Sequence, residues 1–290
     1  MARNITIAKE APEARNFSRR DVLGFIAATA AASLVVGPAE EYTSAEQTHS
    51  TSSRIVRIDA KPEAIAIDIS KTAVIVVDMQ NDFGSRGGML DLAGIDISGI
   101  RKAIAPIARV LTSARHEGIK IVYLKMAFRA DLSDFGAPDS PNRLKHPPLV
   151  GKSTRAPDGK ESRVLIRDTW NTDIVDELKP QADDFVIYKH RFSGFYQTDL
   201  DATLKKLGIQ YLIVAGCTTS VCVEATVRDA MYRDYSCVLL EDCMSQPTPP
   251  HGLPGSNHDA SLVLAEAAFG WVSKSQQFVT AIQTQPIASA

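Results

Sequence analysis

A chain of 290 residues, 44% hydrophobic and 23% charged, is long enough to bury a full core as one large domain or two small ones. With 32 Lys and Arg against 34 Asp and Glu and a pI near 6.3, it has no basic excess to hold a polyanion, which excludes nucleic acid as the expected partner. Cys217, Cys222, Cys237 and Cys243 fall in one short stretch rather than a disulfide framework, and their spacing from His251 and His258 fails the paired pattern of a zinc site.

Residues 1–39 read as an export signal rather than as part of the fold. The run from Ser18 to Leu23 (SRRDVL) resembles a twin-arginine leader, Val22 to Val36 is uncharged and rich in Ala, and Gly37-Pro38-Ala39 leads into a small-residue cleavage pattern. The apolar run is shorter than the roughly 20 residues of a membrane span, so no stable membrane insertion is expected once the signal is removed. The expected location is periplasmic, by twin-arginine export, or cytoplasmic if the leader does not function. Glu40 to Ser53 is polar and reads as linker. The linker is bounded at 40–60, and the folded domain is expected over 61–290.

From Thr72 onward strands alternate with helices. Ala73 to Val77 is a β-branched apolar run, the pattern of a strand covered on both faces, and it ends on Asp78. A helix is expected from about Ile97 to Glu117, closed by Gly118, followed by a strand over Ile119 to Leu124. Residues 129–163 are rich in Pro, Gly and charge and read as a long excursion, the kind of loop that serves as a lid or a subunit contact. A short helix over Asp173 to Leu178 precedes a third strand, Phe185 to Tyr188, that ends on Lys189. Then come a helix over Thr198 to Leu207, a strand from Tyr211 to Ala215, a helix from about Ser220 to Asp234, and a fifth strand, Cys237 to Leu240. A Pro/Gly-rich segment, a helix over Asp259 to Phe269 and a last strand or tail complete the chain.

This alternation predicts an α/β fold with an open parallel sheet and helices on both faces. Ligands in such sheets bind beyond the carboxyl ends of the strands. Asp78, Lys189 and Cys222 fall at three such ends. A thiol in the first turn of a helix meets unpaired N–H groups and the positive end of the dipole, which favour a thiolate. Read from its own stretch, Cys222 is equally well a small buried core residue; its two titratable companions at strand ends argue for a catalytic thiol.

The segments VDMQNDF around Asp78, YKHRFSGFYQT with Lys189 and AGCTTSVCVEATVRDA with Cys222 together resemble the isochorismatase-like cysteine hydrolases, over about Pro62 to Phe278. The tract PEAIAIDISKTAVIVVDMQND, the GGMLDLAG loop, Trp170 before VDEL, and FGWVS look most similar to ureidoacrylate amidohydrolases and then to biuret hydrolases. The resemblance implies a Rossmann-type three-layer sandwich, a homodimer or homotetramer, and a triad of Asp78, Lys189 and Cys222. In that triad Lys189 favours the Cys222 thiolate, Asp78 moves its proton, and a thioester forms on Cys222. It further implies a cis peptide at Cys217–Thr218 and an oxyanion hole from the Thr218 and Cys222 N–H groups. Gln80, Phe83, Trp170, Phe195 and Tyr196 match substrate-binding positions, although aromatic residues beside motifs also serve as core and Gln80 also fits a turn cap. Cys217, Cys237 and Cys243 read as structural thiols; Cys217 stands where relatives often carry an aliphatic residue, which leaves open an oxidation-sensitive neighbour of the nucleophile.

Relatives that bind a metal do so with His after the second strand. KMAFRADLSDF, from Lys125 to Phe135, contains none, so neither metal nor other cofactor is expected. Met126 and Phe128 stand where an amide and a Trp are usual, which makes that wall more apolar. The expected activity is a metal-free cysteine amidohydrolase acting on a small-molecule amide, ureido or carbamoyl substrate. Competing readings are an isochorismatase-type ether hydrolase and a catalytically silent binding or redox protein on the same scaffold. An activated Cys222 is expected to alkylate ahead of the other cysteines.

Overall fold

The computed structural model of the chain describes residues 53–247 and 256–284. The expected leader and the first part of the expected linker lie outside the described residues. The elements in order are β1 (Ile55–Ile58), β2 (Ile65–Asp68), β3 (Thr72–Val77), α1 (Asn81–Gly84), α2 (Met89–Leu92), α3 (Ser98–His116) and β4 (Lys120–Met126). Next are α4 (Pro141–Lys145), β5 (Ser153–Arg155), β6 (Glu161–Arg163), β7 (Phe185–Lys189), α5 (Leu200–Lys206) and β8 (Tyr211–Cys217). The chain continues through α6 (Glu224–Met231), β9 (Ser236–Ser245), α7 (Asn257–Leu264), β10 (Trp271–Ser273) and α8 (Ser275–Gln283).

Six strands form one parallel sheet among the described residues, in the order β10-β9-β8-β3-β4-β7. Successive side chains of a strand point to opposite faces, and β3 shows the result. Val74 and Val76 enter a core with α3 and α8, whereas Ala73, Ile75 and Val77 enter a second core with α5, α6 and α7. Burial on both faces is why β3 reads as an unbroken β-branched run. On α3, the buried residues Ile100, Ala103, Ile104, Ile107, Val110, Leu111 and Ala114 recur at helical spacing, and Gly118 ends the helix in the left-handed region at φ 72°.

Several boundaries differ from the sequence reading. Part of the expected linker is the strand β1, whose Val56 and Ile58 are buried while Ile55 and Arg57 face outward; it pairs antiparallel with β2. Residues 129–163 carry α4 and a β5–β6 hairpin. The expected helix over Asp173 to Leu178 is a single 3-10 turn, Asp176–Leu178. A π-helical turn, Thr219–Val223, precedes α6, and another, Ala265–Phe269, follows α7. The last segment is both a strand and a helix, β10 and α8, with Phe278 and Ile282 fully buried.

Candidate active site

The carboxyl ends of β3, β7 and β8 converge because of their registers. Val77 pairs with Leu124 and Gly216, and Lys189 pairs with Met126, so the residues beyond these points share one end of the sheet. The approach of β8 to β3 depends on Gly216: at φ 118°, a Cβ added there would stand 2.1 Å from the Val77 carbonyl oxygen. Asp78 itself turns into the left-handed region at φ 51°, a conformation Asp tolerates better than most residues, and its N–H still donates to the Leu124 carbonyl at 2.9 Å. The Cys217–Thr218 peptide is cis, as the resemblance implied.

Lys189 Nζ stands 2.8 Å from Asp78 Oδ2, and both side chains are 0% exposed. The ammonium also donates to Met126 Sδ (3.5 Å) and the Arg191 carbonyl (3.4 Å). The Asp78 carboxylate thus faces both the Lys189 ammonium and the Cys222 thiol. Burial is the largest influence on Asp78 and raises its pKa above the usual carboxylate range despite Lys189. Burial works against the Lys189 charge, but Asp78 and Cys222 outweigh it and hold the ammonium above its ordinary range.

Cys222 lies in the turn before α6, 5% exposed, with its thiol against both charged partners. Burial first, and the Asp78 charge second to it in the same direction, push the thiol up to about 12 while Lys189 opposes them. At rest the proton stays on sulfur, next to a carboxylate able to accept it. In the turn, the Val221 and Val223 N–H groups close on the Thr218 carbonyl at 3.1 and 3.2 Å, and Ser220 N–H donates to Gln246 Oε1 at 3.2 Å.

The five other expected site residues are held in different surroundings. Gln80 is fully buried and spends its amide on Met126, donating to its carbonyl and accepting from its N–H, both at 2.9 Å. It clamps the segment after Asp78 to the end of β4. Phe83 packs in the core on the α3 side. Phe195 shares the other core with Cys222 and stacks on Tyr235 at 5.8 Å. Trp170 lines a groove of about 800 Å³ whose walls include none of the triad. Tyr196 is 46% exposed beneath the Arg191 guanidinium.

One group the sequence reading missed is His146. It belongs to the long segment after β4, stacks on Phe192 at 5.1 Å, meets Phe128 and Phe135 edge-on, and donates from Nδ1 to the Asn142 carbonyl at 2.6 Å. Burial first, then Lys189 and Arg191, lower its pKa and keep it neutral. A His in a loop of this composition has no periodic signal to announce it. Cys217 Sγ donates to the Asp78 carbonyl at 3.2 Å, so this thiol braces the strand end. Burial drives its pKa well above the ordinary value. Among the described residues no group of three His, Cys, Asp or Glu is placed to hold a metal ion.

Residues 72–277 match the isochorismatase domain family. The chain is 41% identical to the ureidoacrylate amidohydrolase RutB of Caulobacter segnis over 223 residues, 77% of this chain and 90% of that protein. It is 41% identical to the protein of the same name from Serratia proteamaculans over 221 residues, 76% and 86% of the two chains. Among solved structures, a cysteine hydrolase from Pseudomonas syringae pv. phaseolicola superposes with a TM-score of 0.64 at 30% identity, covering 75% of this chain and 94% of that one. The N-carbamoylsarcosine amidase of Thermoplasma acidophilum superposes with a TM-score of 0.52 at 27% identity, covering 71% and 96%.

Proposed function

Because the chain belongs to the isochorismatase domain family of hydrolases, we propose that it is a cysteine amidohydrolase, cleaving a non-peptide C–N bond of a small amide, ureido or carbamoyl compound through a thioester on Cys222. The observation that carries this reading is the Asp78–Lys189 pair, closed to solvent beside a thiol at the end of the sheet. The carboxylate lies within hydrogen-bond reach of the Cys222 thiol and has a raised pKa, the properties of a general base for a thiol that holds its proton.

In the first step Asp78 takes the Cys222 proton as Sγ bonds to the substrate carbonyl carbon. Lys189 offsets the negative charge at the moment of transfer. The oxyanion that develops is met by the Thr218 and Cys222 N–H groups; losing one such donor typically costs about 100-fold or more in rate. Asp78 then gives its proton to the leaving nitrogen as the C–N bond breaks. Water attacks the thioester, Asp78 accepts its proton, and the acid departs as the proton returns to Cys222. No metal or organic cofactor enters these steps.

The proposed substrate wall is the apolar chain at and just beyond the end of β4: Met126, whose sulfur accepts from the Lys189 ammonium, and Phe128, which packs on Phe135 at 4.3 Å. Such a wall suits an apolar portion of the substrate, so amides with apolar nitrogen substituents belong beside ureidoacrylate and biuret in a screen. The screen reads ammonia or amine release, and failure of every carbamoyl and amide compound to turn over would count against this function. Export by the twin-arginine route and a homodimeric or homotetrameric state belong to the same proposal, the first from residues 1–39 and the second from the family resemblance.

A further inference from the structure

Along the edge strand β7 runs a cavity of about 700 Å³ whose walls include Arg129, Arg167, Arg191, His190 and Tyr188 but no member of the triad. Its size suits a small metabolite. Its charge is unbalanced. The wall carries two carboxylates, Asp134 and Asp199, against three guanidinium groups before His190 is counted. Asp134 is already committed, to Arg167 at 2.9 Å and to the Arg129 N–H at 2.9 Å.

The cations are held rather than loose. Arg167 lies over the Tyr188 ring at 5.2 Å, and its Nε is buried without an acceptor. Arg191 lies over the Tyr196 ring at 5.6 Å with Nη1 fixed by the Asp134 carbonyl at 3.0 Å and by the His190 carbonyl at 2.6 Å. The Arg129 guanidinium enters no salt bridge or side-chain hydrogen bond among the described residues, and its charge reaches the exposed Asp131. Stacked guanidinium groups with free N–H edges suit carboxylate and phosphate oxygens, because their donors are fixed in plane before the ligand arrives.

We propose that this cavity binds a small oxyanion, a phosphate or carboxylate group, through Arg129, Arg167 and Arg191, at a place distinct from Cys222. The site does not depend on the hydrolytic reading. It does touch the catalytic strand end, since the Arg191 carbonyl receives a hydrogen bond from Lys189 Nζ.

Isothermal titration of the full chain at low salt, with inorganic phosphate in one arm and malonate in the other, tests the proposal. Saturable binding in either arm, weakened by added salt, is expected, and the arm that binds identifies phosphate or carboxylate as the preferred group. Arg129→Ala removes an exposed side chain with no structural partner, and is expected to keep the thermal midpoint while weakening binding roughly 10- to 100-fold. Arg129→Lys is expected to fall between the two, and Cys222→Ala to bind like the parent chain. Absence of binding in both arms up to about 10 mM, equal affinity in Arg129→Ala, or loss of binding in Cys222→Ala would each overturn the proposal.

Discussion

Lys189→Met isolates what the buried ion pair does for the protein. The substitution keeps most of the side-chain volume but strands Asp78, 0% exposed and 2.8 Å from the former ammonium, without a counter-charge. Breaking a buried pair from one side costs about 3 to 5 kcal/mol, because the remaining charge is desolvated and unpaired. With a urea slope of about 3 kcal/mol/M, the unfolding midpoint should fall by about 1 to 2 M at neutral pH. The loss should shrink in acid, since Asp78, already raised by burial and now lacking Lys189, then takes a proton and becomes neutral. The double variant Asp78→Asn, Lys189→Met strands no charge and should recover part of the loss. Urea unfolding of the parent and the two variants at neutral and acidic pH reads all of this. A Lys189→Met midpoint equal to that of the parent at neutral pH would refute the reasoning, as would a double variant less stable than Lys189→Met alone.

Three further outcomes are expected. Asp78→Asn removes a negative charge that raises the Cys222 thiol while leaving Lys189 to lower it, so iodoacetamide should label Cys222 faster in this variant than in the parent, while any hydrolytic turnover is lost; mass spectrometry of the labelled peptide reads the rate, and slower labelling would contradict the assigned influences. Burial pushes the Asp82 carboxyl from 3.8 up to about 6, against hydrogen bonds from Asn171, Leu165 and Met89. A raised carboxyl stabilises the fold below its unfolded value and loses that contribution as pH rises through about 6, at most about 3 kcal/mol, so the slope of stability between pH 4 and 6 should flatten in Asp82→Asn. If residues 1–39 are a cleaved leader, intact mass of the exported protein should give a start near residue 40, and a retained Met1 would count against export.

What the sequence disclosed follows from how each feature is encoded. The β-branched run of β3 and the helical spacing on α3 are local patterns, so both elements were legible, and with them the strand ends that carry Asp78, Lys189 and Cys222. β1 was hidden because four alternating residues at the edge of a polar segment carry little signal without their partner β2. The places of Phe83, Trp170, Phe195 and Tyr196 depend on which face of the sheet each loop packs against, and proximity to a motif along the chain does not encode that. Gln80 was recognisable as a residue near the site, but its bond to Met126 arises only when β3 and β4 lie side by side. The raised pKa of Cys222 is not legible for a similar reason: a turn before a helix favours a thiolate, whereas burial and the Asp78 charge, both products of the tertiary fold, push the thiol up to about 12.

The central claim is that a carbonyl group of the substrate becomes bonded to Cys222 Sγ. Rapid-quench intact-mass measurement with a compound that releases ammonia or amine in the screen tests it most directly, with peptide mapping of any adduct. An acyl mass is expected on the peptide containing Cys222, with neither adduct nor release in Cys222→Ala. Undiminished release by Cys222→Ala, or an adduct on another residue, would contradict it.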